Sequence, residues 1–144
     1  MRHKAKFTLM AAALFTASVS TDALAGGGHA APAREQCNAM VTAGESGLDH
    51  GGQGHTDTAV KHLKQMVKAG QECLSHGQEA IKAAGGGPIK MHGGEAMTHV
   101  KEALTHAKEA VSHGEAGHND VMMDHAKEAM MHAKEGNKHA QEMK

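Results

Sequence analysis

The sequence predicts an all-α protein, an up-and-down antiparallel four-helix bundle with heptad repeats and a short first helix. Three observations carry this. A seven-residue phrase (His, small or apolar, Lys, Glu, two apolar, polar) recurs from His55 onward and is clearest at His106–Ser112 and His125–Met131. Such a period keeps the same residue types on one side of a helix. The tracts are separated by glycine-rich segments, of which Gly85-Gly86-Gly87-Pro88 is the strongest stop. Short connections between long helices favour antiparallel neighbours.

Residues 1–25 read as a secretory signal peptide. Arg2, Lys4 and Lys6 make a basic start, an apolar run extends from Phe7 to Val19, and Ala23-Leu24-Ala25 is a small-x-small cleavage site. This places the chain in the periplasm, with no membrane segment once the signal is removed. Residues 26–53 are expected to form a flexible lead-in from Gly26, a short helix over about 32–43 with Pro32 near its first turn, and a glycine-rich loop from Gly44. Residues 54–144 form the His/Glu heptad-repeat bundle.

Within that bundle the second helix starts near Thr56-Asp57, which offer N-cap chemistry, and continues to about Ala84. With histidine at heptad position g, the apolar stripe falls at a, d and e. Gly70 and Gly77 both fall at a, where a small residue lets a neighbouring helix approach. The unbroken phase favours one helix over two broken at Gly70. The third helix is expected over about 94–113, and the fourth from a cap at Asn119 or Asp120 to about Met143.

Composition narrows the function. Phe7 and Phe15 leave with the signal, so the core must be Ala, Val, Leu, Ile and Met. Such a core buries little area per residue, and a ligand would add to its stability. Of 15 Lys+Arg and 16 Asp+Glu, three and one lie in the first 25 residues, leaving 12 and 15 and a net charge of −3 with histidine neutral. A mildly acidic chain without Phe, Tyr or Trp offers nucleic acid neither a basic patch nor stacking platforms. A monomeric domain with metal ions as its partners is expected. Cys37 and Cys73 read first as a disulfide, given export. A pair of thiolate ligands for Cu(I) is the alternative, and spacing alone leaves both open.

The chemistry lies in the histidines. Glutamate at position c stands three residues after one histidine and four before the next, so both share a helix face. His99, Glu102, His106, Glu109 and His113 make one ladder; His125, Glu128, His132, Glu135, His139 and Glu142 make another. His62, His76, His92 and His118 extend the candidate ligand set, with Ala69 interrupting the first tract. Histidines seven apart stand about 10.5 Å apart along the axis, too far to share an ion with bonds of about 2 Å. Remaining ligands must come from a facing helix or from water. Imidazole with carboxylate suits Cu(II), Ni(II) and Zn(II), copper first. Lys64, Lys101, Lys108, Lys127 and Lys134 at position b serve ion pairing with the glutamates. Met66, Met97, Met122, Met130 and Met143 fall at core positions, and Met91-His92 and Met131-His132 are the weaker candidates for Cu(I).

Two rival classes differ in their consequences. The histidines could be a solvated flank that makes a structural or interaction bundle respond to acid. An enzyme is disfavoured by pattern: neither Gly-x-Ser-x-Gly nor His-Glu-x-x-His occurs, and the order here is His-x-x-Glu rather than the Glu-x-x-His of di-iron bundles.

Gly54-His55-Thr56-Asp57, the His-Ala-Lys-Glu-Ala phrases at 106–110 and 125–129, and His113-Gly114-Glu115-Ala116-Gly117-His118 resemble the small metal-binding protein family of ammonia-oxidising bacteria. The resemblance covers 54–144 and extends to the whole exported chain. It implies a periplasmic four-helix bundle without aromatic residues that binds several divalent ions, copper foremost, for storage, buffering or detoxification. It also implies that the helical histidines from His62 to His139, with their glutamate neighbours, are the ligands. This chain departs from the pattern in having no histidine over 32–43, in Ala69, and in Cys37, Cys73 and its many methionines.

Overall fold

A computed structural model describes residues 28–144; the signal peptide expected over residues 1–25 lies outside the described residues. Four helices follow one another: α1 (Ala30–Gly52), α2 (Thr56–Ala83), α3 (Gly87–Glu115) and α4 (Asn119–Gln141). Each packs on its neighbour in sequence, α1 also meets α4, and the pairs α1/α2 and α3/α4 make the most extensive interfaces. The molecule is thus two helical hairpins set side by side, with their outer edges on opposite flanks.

The core is as poor in bulk as the composition requires. Alanines such as Ala33, Ala59, Ala96, Ala103, Ala107, Ala110 and Ala129 are fully buried, and the volume comes from Met40, Leu63, Met66, Met122, Met143 and Val100. All five methionines expected in the core are buried there, whereas Met91 and Met131 are exposed. No polar or charged side chain among the described residues is fully buried. Small residues at the seams let the helix axes come close, so that flank side chains of facing helices meet.

The first helix is not short. It spans 23 residues and absorbs the stretch from Gly44 that was expected to be a loop. Gly44 and Gly47 are buried on its inner face, and a Cβ on Gly44 would come within 2.5 Å of the Met130 sulfur and 2.9 Å of that of Met66. These glycines are seats for neighbouring side chains, and the packing they permit outweighs their cost of about 1 kcal/mol each in helix propensity. Helix α2 is continuous through Gly70, where a Cβ would lie 2.9 Å from Leu104 and Met40 atoms.

Two starts also differ from expectation. Helix α3 begins at Gly87, about seven residues early, because Pro88 sits in its first turn and Ile89 is already buried. The residues preceding α2 and α4 are His55 and His118, with no side-chain cap, so Thr56 and Asn119 are helical rather than capping. Asp57 and Asp120 in the first turns still complement the helix dipole.

Cys37 and Cys73 form a disulfide, with Cα atoms 5.0 Å apart, joining α1 to α2 inside the core. This removes them as thiolate ligands. Of the five lysines expected to pair with glutamates, Lys64 pairs with Glu115 across α2/α3 (2.6 Å) and Lys134 with Glu45 across α4/α1 (3.2 Å), both exposed, while Lys127 meets Asp124 (3.4 Å) instead. Among the described residues no helix is long and apolar enough to cross a membrane.

Candidate metal centre

The edge where α3 meets α4 carries the ladder. Each seven-residue step up α3 is matched by a seven-residue step down α4, so His92 faces His139, His99 faces His132, His106 faces His125 and His113 faces His118. Each imidazole also stacks on the next one diagonally across. His92, His139, His99, His132, His106, His125, His113 and His118 follow in that order, with ring centroids 5.4 to 6.2 Å apart. Histidines on one helix are indeed too far apart to share an ion, but the facing helix inserts a ring between them.

Three of these rungs add a carboxylate from α3, forming the groups His92/Glu95/His139, His99/Glu102/His132 and His106/Glu109/His125. The geometry repeats. Each glutamate oxygen lies 3.4 to 3.6 Å from Nδ1 of its own helix's histidine and 3.0 to 3.1 Å from Nδ1 of the facing one. In the third rung the two Nδ1 atoms are themselves 3.4 Å apart. Donors at about 2.0 Å from a tetrahedral ion stand about 3.3 Å from one another, so the triangle already has the dimensions of one coordination face.

Three of the six ring nitrogens are also left without a partner. Nδ1 of His92, His99 and His139 is buried, yet makes no aligned hydrogen bond with the carboxylate it faces. Close donors left without a hydrogen bond suit a cation held between them. Each group offers two imidazoles and one carboxylate, the borderline N/O set that suits Cu(II), Ni(II) and Zn(II). The histidines are half-buried and the glutamates more open, so every rung has an outward side that solvent can reach.

The expected ligands distribute unevenly. His92, His99, Glu102, His106, Glu109, His125, His132 and His139 meet in the three rungs. His113 and His118 form a fourth rung of imidazoles alone, with Nδ1 atoms 3.4 Å apart. Glu128 and Glu135 are not brought into these groups; both are exposed, and Glu135 faces Lys138 at 3.8 Å. His76 meets His29 at the far end of the first hairpin (Nδ1–Nδ1 3.3 Å), and His62 stacks on His50 and contacts Gln65.

Several participants escaped the sequence reading. Glu95 stands three residues after His92, the same His-x-x-Glu spacing that identified Glu102, and so was available to it. Glu142 was placed in the α4 ladder but not among the ligands, and it lies 2.9 Å from His92 Nδ1 as a second carboxylate at the first rung. His29 and His50 lie beyond the expected helix over 32–43 and had no heptad to reveal them, whereas His55 opens the repeat but is not in the expected ligand set.

No curated protein and no solved structure matches the chain. The hairpin that carries the rungs, residues 88–144, matches the model of the small metal-binding protein family, the family its motifs resemble.

Proposed function

We propose that this protein is a periplasmic, multi-site binder of divalent transition metals, copper foremost, that buffers, stores or detoxifies them without catalysing a reaction. The repetition of one three-donor group along the α3/α4 edge carries this reading. An enzyme concentrates chemistry at one centre, whereas capacity is gained by repeating a modest site. Each of the three groups has three protein donors and an accessible side, which suits uptake and release through exchange with water or a partner's ligand. Copper is placed first because it heads the affinity order for nitrogen and oxygen donors. The basic and apolar N-terminal segment followed by Ala23-Leu24-Ala25 supports export.

Calorimetric titration of tag-free apo-protein with Cu(II), Ni(II) and Zn(II) at pH 7.5 tests the reading. Several equivalents are expected, with Cu(II) tightest. Failure to retain any of the three metals overturns it, and a single equivalent would point to an enzyme instead. Association on acidification that persists in chelator would favour the acid-responsive bundle. For the location, osmotic-shock fractions should contain a chain beginning at Gly26.

A further inference from the structure

The outer edge of the first hairpin is the second's with its middle erased. His29, His50, His62 and His76 stand 63 residues, nine heptads, before His92, His113, His125 and His139. Between these ends the match fails. Where the second hairpin has His99, Glu102, His106, Glu109 and His132, the first has Gln36, Ala39, Ala43, Ser46 and Ala69. The missing rings and carboxylates leave an open groove of about 490 Å³ along α1/α2, lined by Ala39, Thr42, Ala43, Ser46 and Ala69 together with His62 and Gln65. Alanine at a helix contact shortens the distance at which another helix can pack.

The two banks of the groove carry opposite charge. On α1 the acids Glu35, Glu45 and Asp49 are exposed, and no lysine or arginine of that helix is. On α2 every exposed charged residue from 58 to 71 is a lysine: Lys61, Lys64 and Lys68. Glu35, Asp49 and Lys61 make no ion pair among the described residues, and Lys68 reaches only Glu72, at 3.9 Å. Such a surface is acidic on one side, basic on the other and apolar between, which is the pattern a self-complementary contact requires.

We propose that the α1/α2 edge is the contact between two copies of this chain, related by a two-fold axis that runs along the groove. With that axis α1 of each copy lies over α2 of the other, antiparallel, acid over base. The register follows from the hairpin itself. His29 faces His76 and His50 faces His55, so Glu35 is level with Gly70 and Asp49 with Thr56. The partner subunit's Lys68 then stands two residues, about 3 Å, from the level of Glu35. The partner subunit's Lys61 stands five residues, about 7.5 Å, from that of Asp49, inside a Debye length of about 8 Å. A two-fold axis across the groove at Thr42 would instead lay α1 on α1, with Glu35 against the partner subunit's Asp49, and like charges oppose it. The α3/α4 ladders lie on the opposite flank, so pairing leaves both open to solvent and does not depend on their binding metal.

Sedimentation equilibrium of the exported chain in chelator at pH 7.5 tests this without metal. Between about 10 μM and 1 mM the average mass is expected to climb toward twice that of one chain. A mass that stays at one chain throughout overturns the proposal. Ala43→Glu puts a carboxylate into the groove and is expected to keep the protein monomeric with its helical circular dichroism unchanged; a folded variant that still pairs overturns the groove as the contact. Lys61→Glu with Lys68→Glu is expected to weaken pairing at least about tenfold, and adding Glu35→Lys with Asp49→Lys to restore it. Pairing that ignores the first change, or is not recovered by the second, overturns the placement of α1 over α2. Should Ala43→Glu unfold the chain, these four exposed positions decide alone.

Discussion

The Nδ1 atoms of His106 on α3 and His125 on α4 lie 3.4 Å apart, and a single oxygen of Glu109 lies 3.6 Å and 3.1 Å from them. The near-equilateral triangle makes the carboxylate as necessary as either ring. Glu109→Gln keeps the shape but removes the anionic donor. It is expected to weaken copper binding at that rung at least about tenfold, or about 1.4 kcal/mol, while the exposed Glu128→Gln changes little. Competition titrations against a chelator of known affinity measure both; equal effects would refute the assignment of ligands.

Loading should depend on pH. A metal binds neutral imidazole, and imidazole titrates near about 6.5 in unstructured peptides. Protons therefore compete with the metal below that value, and up to two must leave each fully protonated rung. Metal-derived stability is present above this range and is lost as pH falls through it. Cu(II) is expected to raise the melting temperature clearly at pH 7.5 and much less at pH 5. Identical melting with and without copper at both values would contradict it.

Much of this was legible because heptad phase survives local disturbances. The register of His62 to Ile81 runs unbroken through Gly70, and α2 is one helix. The first helix was not legible because Gly44 and Gly47 are loop formers by propensity, and only the side chains of Met130, Met66 and Leu63 make them helix residues. In the site, the histidines could be read from their period. The α3 glutamates Glu102 and Glu109 could be read from the same spacing, but the exclusion of Glu128 and Glu135 could not, since the choice of Glu102 rather than Glu135 for His99 and His132 depends on where α4 settles against α3. That register belongs to the fold, and no single-helix pattern contains it.

The disulfide and the rungs stabilise different hairpins, so they should separate experimentally. Cys37–Cys73 closes a loop with a sequence separation of 36 residues, and in the chain-entropy account losing such a link costs about 3 to 4 kcal/mol. Cys37→Ser with Cys73→Ser is expected to lower the melting temperature of the apo-protein and to leave the affinity of the three α3/α4 groups nearly unchanged. Chemical denaturation and Cu(II) titration of the same variant measure the two effects, and a matching loss of affinity would show that the hairpins are not independent.

Close approach of α3 and α4 is what holds the rungs at ligand distance, and Gly136 is a point where it can be tested. A Cβ there would stand 3.0 Å from Val100 Cγ2, 3.2 Å from Ala96 O and 3.3 Å from Val100 N. Two of these atoms are backbone and have no rotamer to give, so Gly136→Ala must move the helices apart. The expected cost is about 1 to 3 kcal/mol, with weaker copper binding at the flanking pairs His99/His132 and His92/His139. Gly94, helical with nothing within 4 Å of its added Cβ, is the control. Gly94→Ala should gain up to about 1 kcal/mol from helix propensity alone and leave copper binding unaltered. Denaturant midpoints of the two alanine variants should therefore move in opposite directions, and copper affinity should fall in Gly136→Ala alone. Parallel losses in both would mean that helix spacing does not govern the site.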